Sequence, residues 1–150
     1  MSENVQETLD RTLALMTTVL GYTVVGQWEH WTRVAAGGNA PGHFIDILVD
    51  PEAETAVNGV GTVHHVALAV ATGDDQLRLR EQLVGEGVRV TEVRDRQYFT
   101  SIYFREPGGV LFEIATLPPG FTVDEPPDRL GRALKLPPWE EPHRPAIEAG

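Results

Sequence analysis

Two apolar segments of this sequence carry side chains that can bind a metal ion. His65 lies within residues 63–70, and Glu113 lies within residues 110–116. Imidazole nitrogens and carboxylate oxygens are ligands of divalent transition metals, and two histidines with one carboxylate form the open site of non-haem iron(II) oxygenases. The pair therefore points to a metal site, although a hydrogen-bonded structural histidine and a solvated surface glutamate would give the same pattern.

The residues around His65 indicate open space in front of its side chain. Because side chains on a strand alternate between its two faces, His65 shares a face with Ala67 and Ala69. The same alternation places His64 on the opposite face, among bulky valine and leucine side chains that should pack under a helix. We therefore expect His65 to face a cavity rather than a filled core.

Glu113 is a carboxylate within an apolar strand. It shares one face with Leu111 and Ala115, while the other face carries valine, phenylalanine and isoleucine. A buried carboxylate without a partner is costly. We therefore expect a cation or a strong hydrogen-bond donor beside Glu113.

Residues 61–117 predict a β-α-β-β-β unit that positions this pair. The strands are expected at residues 63–70, 89–94, 100–105 and 110–116, and a helix is expected at about residues 75–85. His65 then lies on the first strand of the unit, and Glu113 lies on the last.

Residues 1–50 predict a similar unit without its first strand. Leucine and methionine side chains recur at helical spacing up to Leu20, and three strand candidates follow at residues 22–28, 31–35 and 43–49. Residues 51–60 read as a linker, and residues 118–150 form a proline-rich tail that Trp139 should anchor. The predicted fold class is α+β, with two paired βαβββ modules of which the first is incomplete.

The repeat places Asp46 at the position of Glu113, because both lie in the closing strand of their unit. Asp46 is therefore a candidate for a third metal ligand, although a carboxylate that is hydrogen-bonded near the strand pair is the simpler interpretation. His30 and His43 are weaker candidates, and His143 in the tail is expected to be exposed.

Several motifs resemble the C-terminal part of ring-cleaving dioxygenases of the vicinal oxygen chelate superfamily, which also contains glyoxalases and bleomycin resistance proteins. The most similar group is the hydroquinone and chlorohydroquinone type. The matching stretches are residues 64–67, 95–99, 101–116 and 130–140.

The resemblance implies an Fe(II)-dependent ring-cleaving dioxygenase that inserts O2 into hydroquinone- or catechol-type aromatics. It implies that His65 and Glu113 are iron ligands, and that His64, Arg96 and Tyr103 are catalytic residues near the substrate. A cation and a phenol can stabilise negative charge that develops during ring cleavage, and histidine exchanges protons readily near neutral pH. Mn(II) would suit the same ligands.

In such enzymes the third ligand is usually a histidine from the first strand of a partnering unit, and that strand is missing from the first unit predicted here. We therefore expect a homodimer or a partner chain to complete the site, since an open sheet edge favours association. Two alternatives are a catalytically inactive or partner-dependent half of such an enzyme, and a metal-free protein that binds aromatic ligands on the same fold.

Net charge and the absence of cysteine exclude several other classes of function. The chain has 150 residues and a formal net charge of −10, which argues against binding to nucleic acid or to an anionic membrane surface. It has no cysteine, so disulfides, thiolate metal sites and cysteine nucleophiles are excluded. No signal peptide or long apolar segment is visible, which makes a cytoplasmic location the default expectation.

Overall fold

The computed structural model describes residues 3–38, 40–54, 57 and 59–150. It contains two units, each built from one β-sheet and a helix. In the first unit, α1 (Glu3–Ala14) continues into a π-helical turn at Leu15–Val19. The strands β1 (Thr23–Trp28), β2 (Trp31–Ala35) and β3 (Phe44–Leu48) follow, and they form an antiparallel sheet in the order β1-β2-β3.

The second unit has the predicted β-α-β-β-β order. It consists of β4 (Val66–Val70), α2 (Gly73–Gly85), β5 (Arg94–Asp95), β6 (Thr100–Arg105) and β7 (Leu111–Thr116). The sheet order is β4-β7-β6-β5, with β4 parallel to β7 and the other pairs antiparallel. This arrangement confirms the α+β class that the sequence predicts.

Several boundaries differ from the prediction by one residue, and three elements of the second unit differ by more. The first strand of the second unit begins at Val66, three residues later than expected. The helix α2 begins earlier, at Gly73, because Thr72 and Asp75 form a reciprocal capping box at its N-terminus. The strand expected at residues 89–94 is reduced to the two residues of β5 and an isolated bridge between Val90 and Phe104.

The hydrophobic core lies behind the second sheet, where apolar side chains of β6 and β7 meet both helices. Its buried members are Leu15, Met16, Tyr22, Val34, Leu83, Ile102, Phe104, Phe112 and Ile114. Because these residues occupy one face of β6 and β7, the alternate residues of both strands lie on the opposite, front face. That front face carries Ser101, Tyr103 and Glu113.

A buried glutamine ties α2 to the backbone of this sheet. The Gln76 side-chain amide donates to the carbonyl oxygens of Thr100, at 2.8 Å, and Ile114, at 2.7 Å. Its own oxygen accepts from the Thr100 hydroxyl at 3.0 Å. The residues that Gln76 holds are adjacent in sequence to Ser101 and Glu113, so α2 fixes the two strands next to those side chains.

A second buried contact joins the two units. The Thr12 hydroxyl of α1 donates at 2.6 Å to Glu106, whose carboxylate also accepts from the backbone amides of Gly108 and Val110 in the β6–β7 turn. Thr12 and Glu106 line a cavity of about 530 Å³ between α1, β3 and the second unit. Neither His65 nor Glu113 lines this cavity.

The C-terminal tail contains short helical turns at Phe121–Val123, Pro127–Arg129 and Glu141–His143, followed by α3 (Arg144–Ala149). The expectation that Trp139 anchors the tail is wrong, because its side chain is 60% exposed. Within the described ranges, no helix has both the length and the apolar character needed to cross a membrane.

Candidate metal centre

His65 and Glu113 come together on the front of the second sheet. Glu113 of β7 is paired in register with Ala67 of β4, and His65 precedes Ala67 by two residues. The imidazole reaches the carboxylate, so that His65 Nε2 lies 2.8 Å from Glu113 Oε2. Glu113 is only 4% exposed, whereas the His65 side chain is 34% exposed. The buried carboxylate of Glu113 is thus connected to the solvent-exposed front of the sheet through the partly exposed His65.

Two hydroxyl groups engage the other oxygen of the same carboxylate. Tyr103, directly opposite Glu113 in the β6–β7 pairing, donates to Oε1 at 2.9 Å. The Ser101 hydroxyl donates to the same oxygen. These contacts supply the strong hydrogen-bond donors that the sequence predicts beside a buried glutamate.

Ser101 is the site residue that the sequence reasoning missed. It lies two residues before Tyr103 and therefore on the same face of β6, which was the available signal. Its contact with Glu113 depends on the register between β6 and β7, where Ser101 is paired with Ala115. A diagonal neighbour across a ladder is within reach only in that register.

Arg96 contacts Tyr103 rather than Glu113. Its Nε donates to the Tyr103 hydroxyl at 3.1 Å, and its guanidinium carbon lies 5.3 Å from the centroid of the tyrosine ring. A cation at that position adds a charge-assisted hydrogen bond and a cation–π contact. Arg96, Tyr103 and Glu113 thus form one connected polar network.

The loop that carries Arg96 is held by the C-terminal tail. Asp124 accepts from the Tyr98 hydroxyl at 2.9 Å, and the Tyr98 ring lies 4.9 Å from the ring of Phe121. The hydrogen bond to Asp124 raises the pKa of Tyr98 above its ordinary value, because it stabilises the protonated phenol. The tail therefore helps to position Arg96 through its neighbours.

His64 does not occupy the face that strand alternation predicts. Its Nδ1 lies 2.8 Å from Nδ1 of His65, and the two rings meet edge to face. The physical reason is that β4 begins only at Val66, so the two histidines precede the regular strand and the two-residue period does not apply to them. His64 is exposed and lies beside the His65–Glu113 pair.

Asp46 lies in the other sheet and is engaged by Arg33. The guanidinium Nε and Nη2 donate to the two carboxylate oxygens at 2.6 and 2.7 Å. These hydrogen bonds hold the pKa of Asp46 below its usual range. Asp46 and Arg33 are paired across β2 and β3 as Glu113 and Tyr103 are across β6 and β7. The first sheet thus has a cation at the position where the second has a phenol.

Among the described residues, no group of three or more histidine, cysteine or acidic side chains could hold a metal ion. The exposed His30 and His43 belong to no such group, and His143 contacts Glu140 in the tail at 3.2 Å. His65 and Glu113 are nevertheless the right donor types, because a neutral imidazole and a carboxylate suit iron(II) and manganese(II). Their converging Nε2 and Oε2 atoms fit two of the positions of such a site.

Comparison with known proteins identifies the family of this chain. The model of the Glyoxalase/Bleomycin resistance protein/Dioxygenase superfamily matches residues 5–114. The chain belongs to this superfamily. The resemblance inferred from the sequence motifs is thereby confirmed.

Superfamily members with similar sequences include named dioxygenases. The chain is 43% identical over 141 residues to MhqO of Bacillus subtilis (strain 168), named as a ring-cleaving dioxygenase, with 94% of this chain and 45% of that protein covered. It is 40% identical to chlorohydroquinone/hydroquinone 1,2-dioxygenase of Sphingobium indicum, with 77% and 37% covered. A crystal structure of a Bacillus subtilis protein named as a dioxygenase superposes with a TM-score of 0.86 at 42% identity, with 93% and 44% covered. The chain thus spans less than half the length of each of these relatives.

Proposed function

We propose that this chain contributes the iron-binding part of a dioxygenase that cleaves the ring of hydroquinone- or catechol-type aromatics with O2. The observation that carries the proposal is the contact between His65 Nε2 and Glu113 Oε2 at the front of the second sheet. The names of the similar superfamily members support the same reaction class.

In this proposal His65 and Glu113 hold Fe(II), and Mn(II) is the other metal that these ligands suit. A metal ion held there would supply a common binding point for the diol and O2. The exposed Ala67 and Ala69 leave space for an aromatic ring in front of the histidine.

The polar residues around the pair have separate tasks. Arg96 and Tyr103 place a positive charge and a hydroxyl dipole where the substrate becomes negatively charged, which lowers the barrier electrostatically. His64 lies at the exposed side of His65 and accepts a proton from a diol hydroxyl at a ring nitrogen. In this proposal the residues of the chain bind and orient the aromatic substrate and accept its proton.

We further propose that the third metal ligand comes from a second copy of the chain or from a partner chain. Two observations support this. Only two suitable ligands converge within the part of the chain that the structure describes. In addition, β3 is paired on one side only in the first sheet, whereas the equivalent β7 is paired on both sides in the second.

Anaerobic titration with Fe(II), followed by addition of hydroquinone or catechol and measurement of O2 uptake, tests the proposal. We expect His65→Ala and Glu113→Gln to abolish both iron binding and O2 uptake, while His143→Ala in the tail leaves both unchanged. Asp46→Asn tests whether the remaining candidate carboxylate takes part.

If the chain forms a dimer that binds Fe(II), this would support the proposal that a second copy of the chain supplies the third metal ligand. Unchanged O2 uptake in His65→Ala would contradict the proposed metal site. Binding of the aromatic compound without Fe(II) and without O2 uptake would instead favour a ligand-binding protein.

A further inference from the structure

We propose that Ser101 is a positioning residue, which fixes Glu113 so that the carboxylate offers a single oxygen, Oε2, to a cation. This inference rests on the proposed function, because it assigns Glu113 to a metal. It concerns a residue that does not touch the metal position and acts through Glu113.

The distribution of contacts on the carboxylate carries the argument. Oε1 accepts hydrogen bonds from the hydroxyls of both Ser101 and Tyr103, whereas Oε2 faces His65 Nε2 at 2.8 Å. An oxygen that accepts two hydroxyl donors has its lone pairs occupied. Glu113 is therefore presented as a ligand with one available oxygen.

Burial makes Ser101 the stronger of the two constraints. Ser101 is 0% exposed, so water cannot replace its hydroxyl if the side chain is removed. Tyr103 is partly exposed and is shared with Arg96. Ser101 is also held at its backbone, because Gln76 fixes the carbonyl of the preceding Thr100.

A carboxylate that binds through one oxygen occupies one position on the metal instead of two. More positions then stay open for a chelating diol and for O2, which a ring-cleaving reaction needs together. Without the Ser101 hydroxyl, Glu113 gains freedom to rotate and to present both oxygens. We therefore expect loss of this hydroxyl to change both the affinity of the site and the number of ligands around the ion.

Ser101→Ala, with Ser101→Thr as a variant that keeps the hydroxyl, tests the inference. Thr12→Val is the matched control, because Thr12 also donates a hydroxyl to a buried carboxylate, that of Glu106, at 2.6 Å. Far-UV circular dichroism first establishes that all three variants are folded. Co(II) titration then gives affinity, and the visible spectrum of bound Co(II) reports the number of ligands.

We expect Ser101→Ala to weaken Co(II) binding by about 10- to 100-fold, as is typical for removal of a partner that orients a metal ligand. Its Co(II) spectrum should change, Ser101→Thr should retain most of the affinity, and Thr12→Val should match the unaltered chain in both respects. Equal affinity and an unchanged spectrum in Ser101→Ala would overturn the inference.

A second readout needs no metal. In the metal-free chain, loss of the Ser101 hydroxyl should shift the ¹⁵N resonance of His65 Nε2, since that atom contacts the carboxylate that Ser101 holds. If the unaltered chain fails to bind Co(II) even as an oligomer, a second copy does not complete the site and the proposed function requires a partner chain. The His65 resonance still decides the role of Ser101, because an unshifted signal would show that Glu113 does not depend on it.

Discussion

The Tyr103 hydroxyl donates to Oε1 of Glu113 at 2.9 Å, directly across the ladder between β6 and β7. Arg96 approaches the same hydroxyl from the other side, at 3.1 Å. The phenol therefore connects an exposed cation to a buried anion.

Replacing Tyr103 by Phe keeps the ring but removes this connection. We expect O2 uptake with a diol to fall by about 10- to 100-fold, because the hydroxyl both orients Glu113 and stabilises substrate charge. Steady-state kinetics should show the loss in kcat more than in KM. Tyr22→Phe is the control, since Tyr22 lies in the core, and an equal loss there would argue against a specific role for Tyr103.

The ion pair of Arg33 and Asp46 should stabilise the fold in a pH-dependent way. Because Arg33 holds the pKa of Asp46 below its usual range, the contribution is present above the unfolded pKa of Asp, about 4, and is lost as the pH falls through the lower folded value. Urea denaturation of Asp46→Asn should therefore show a small destabilisation at pH 7 that disappears in acid. A difference that grows in acid would contradict this assignment.

The contact between Tyr98 and Asp124 should be visible in an alkaline titration. Asp124 raises the pKa of Tyr98 above the ordinary 10.0, so Asp124→Asn should lower it. Ultraviolet absorbance of the tyrosinate measures this shift, and Tyr98→Phe identifies the Tyr98 signal. By linkage, the stabilisation is present below the unfolded pKa and is lost as the pH rises through the folded one. An unchanged titration in Asp124→Asn would mean that the tail does not hold the loop in solution.

The contact between Thr12 and Glu106 should contribute to the docking of α1 on the second unit. Thr12→Val removes the donor and leaves a buried carboxylate oxygen with one partner fewer. We expect unfolding in urea to become easier by about 1–3 kcal/mol. Thr18→Val, on the exposed side of the same helical segment, should have a much smaller effect. If the two changes lowered the free energy of unfolding equally, the effect of Thr12→Val would come from the lower helix propensity of valine and not from the lost hydrogen bond.

Residue types and turn signals located several strands. The strands expected at residues 31–35 and 100–105 have those bounds in the structure, because β-branched and aromatic residues cluster there between turn-forming segments. The rule that side chains alternate between faces failed at His64, which lies before the point where the regular strand begins. The rule describes residues within a strand and does not locate its first residue.

The partners of the site residues were less accessible to prediction. The contact of Ser101 with Glu113 and that of Arg33 with Asp46 both arise from cross-strand register, which one sequence does not specify. Trp139 was expected to anchor the tail because it is a tryptophan flanked by leucines and prolines. It lies instead in a turn, closed by the Glu140 N–H that donates to the Pro137 carbonyl at 2.9 Å, and is 60% exposed.

Asp46 and Glu113 lie at equivalent positions of the two units, but their carboxylates have different partners. In the first unit, the guanidinium of Arg33 neutralises the carboxylate of Asp46, and this ion pair joins strands β2 and β3. In the other, neutral hydroxyls and a histidine leave the negative charge available. One cross-strand neighbour thus decides whether the carboxylate is held in an ion pair between strands or by hydroxyl groups. Under the proposed function, only the second carboxylate binds a metal.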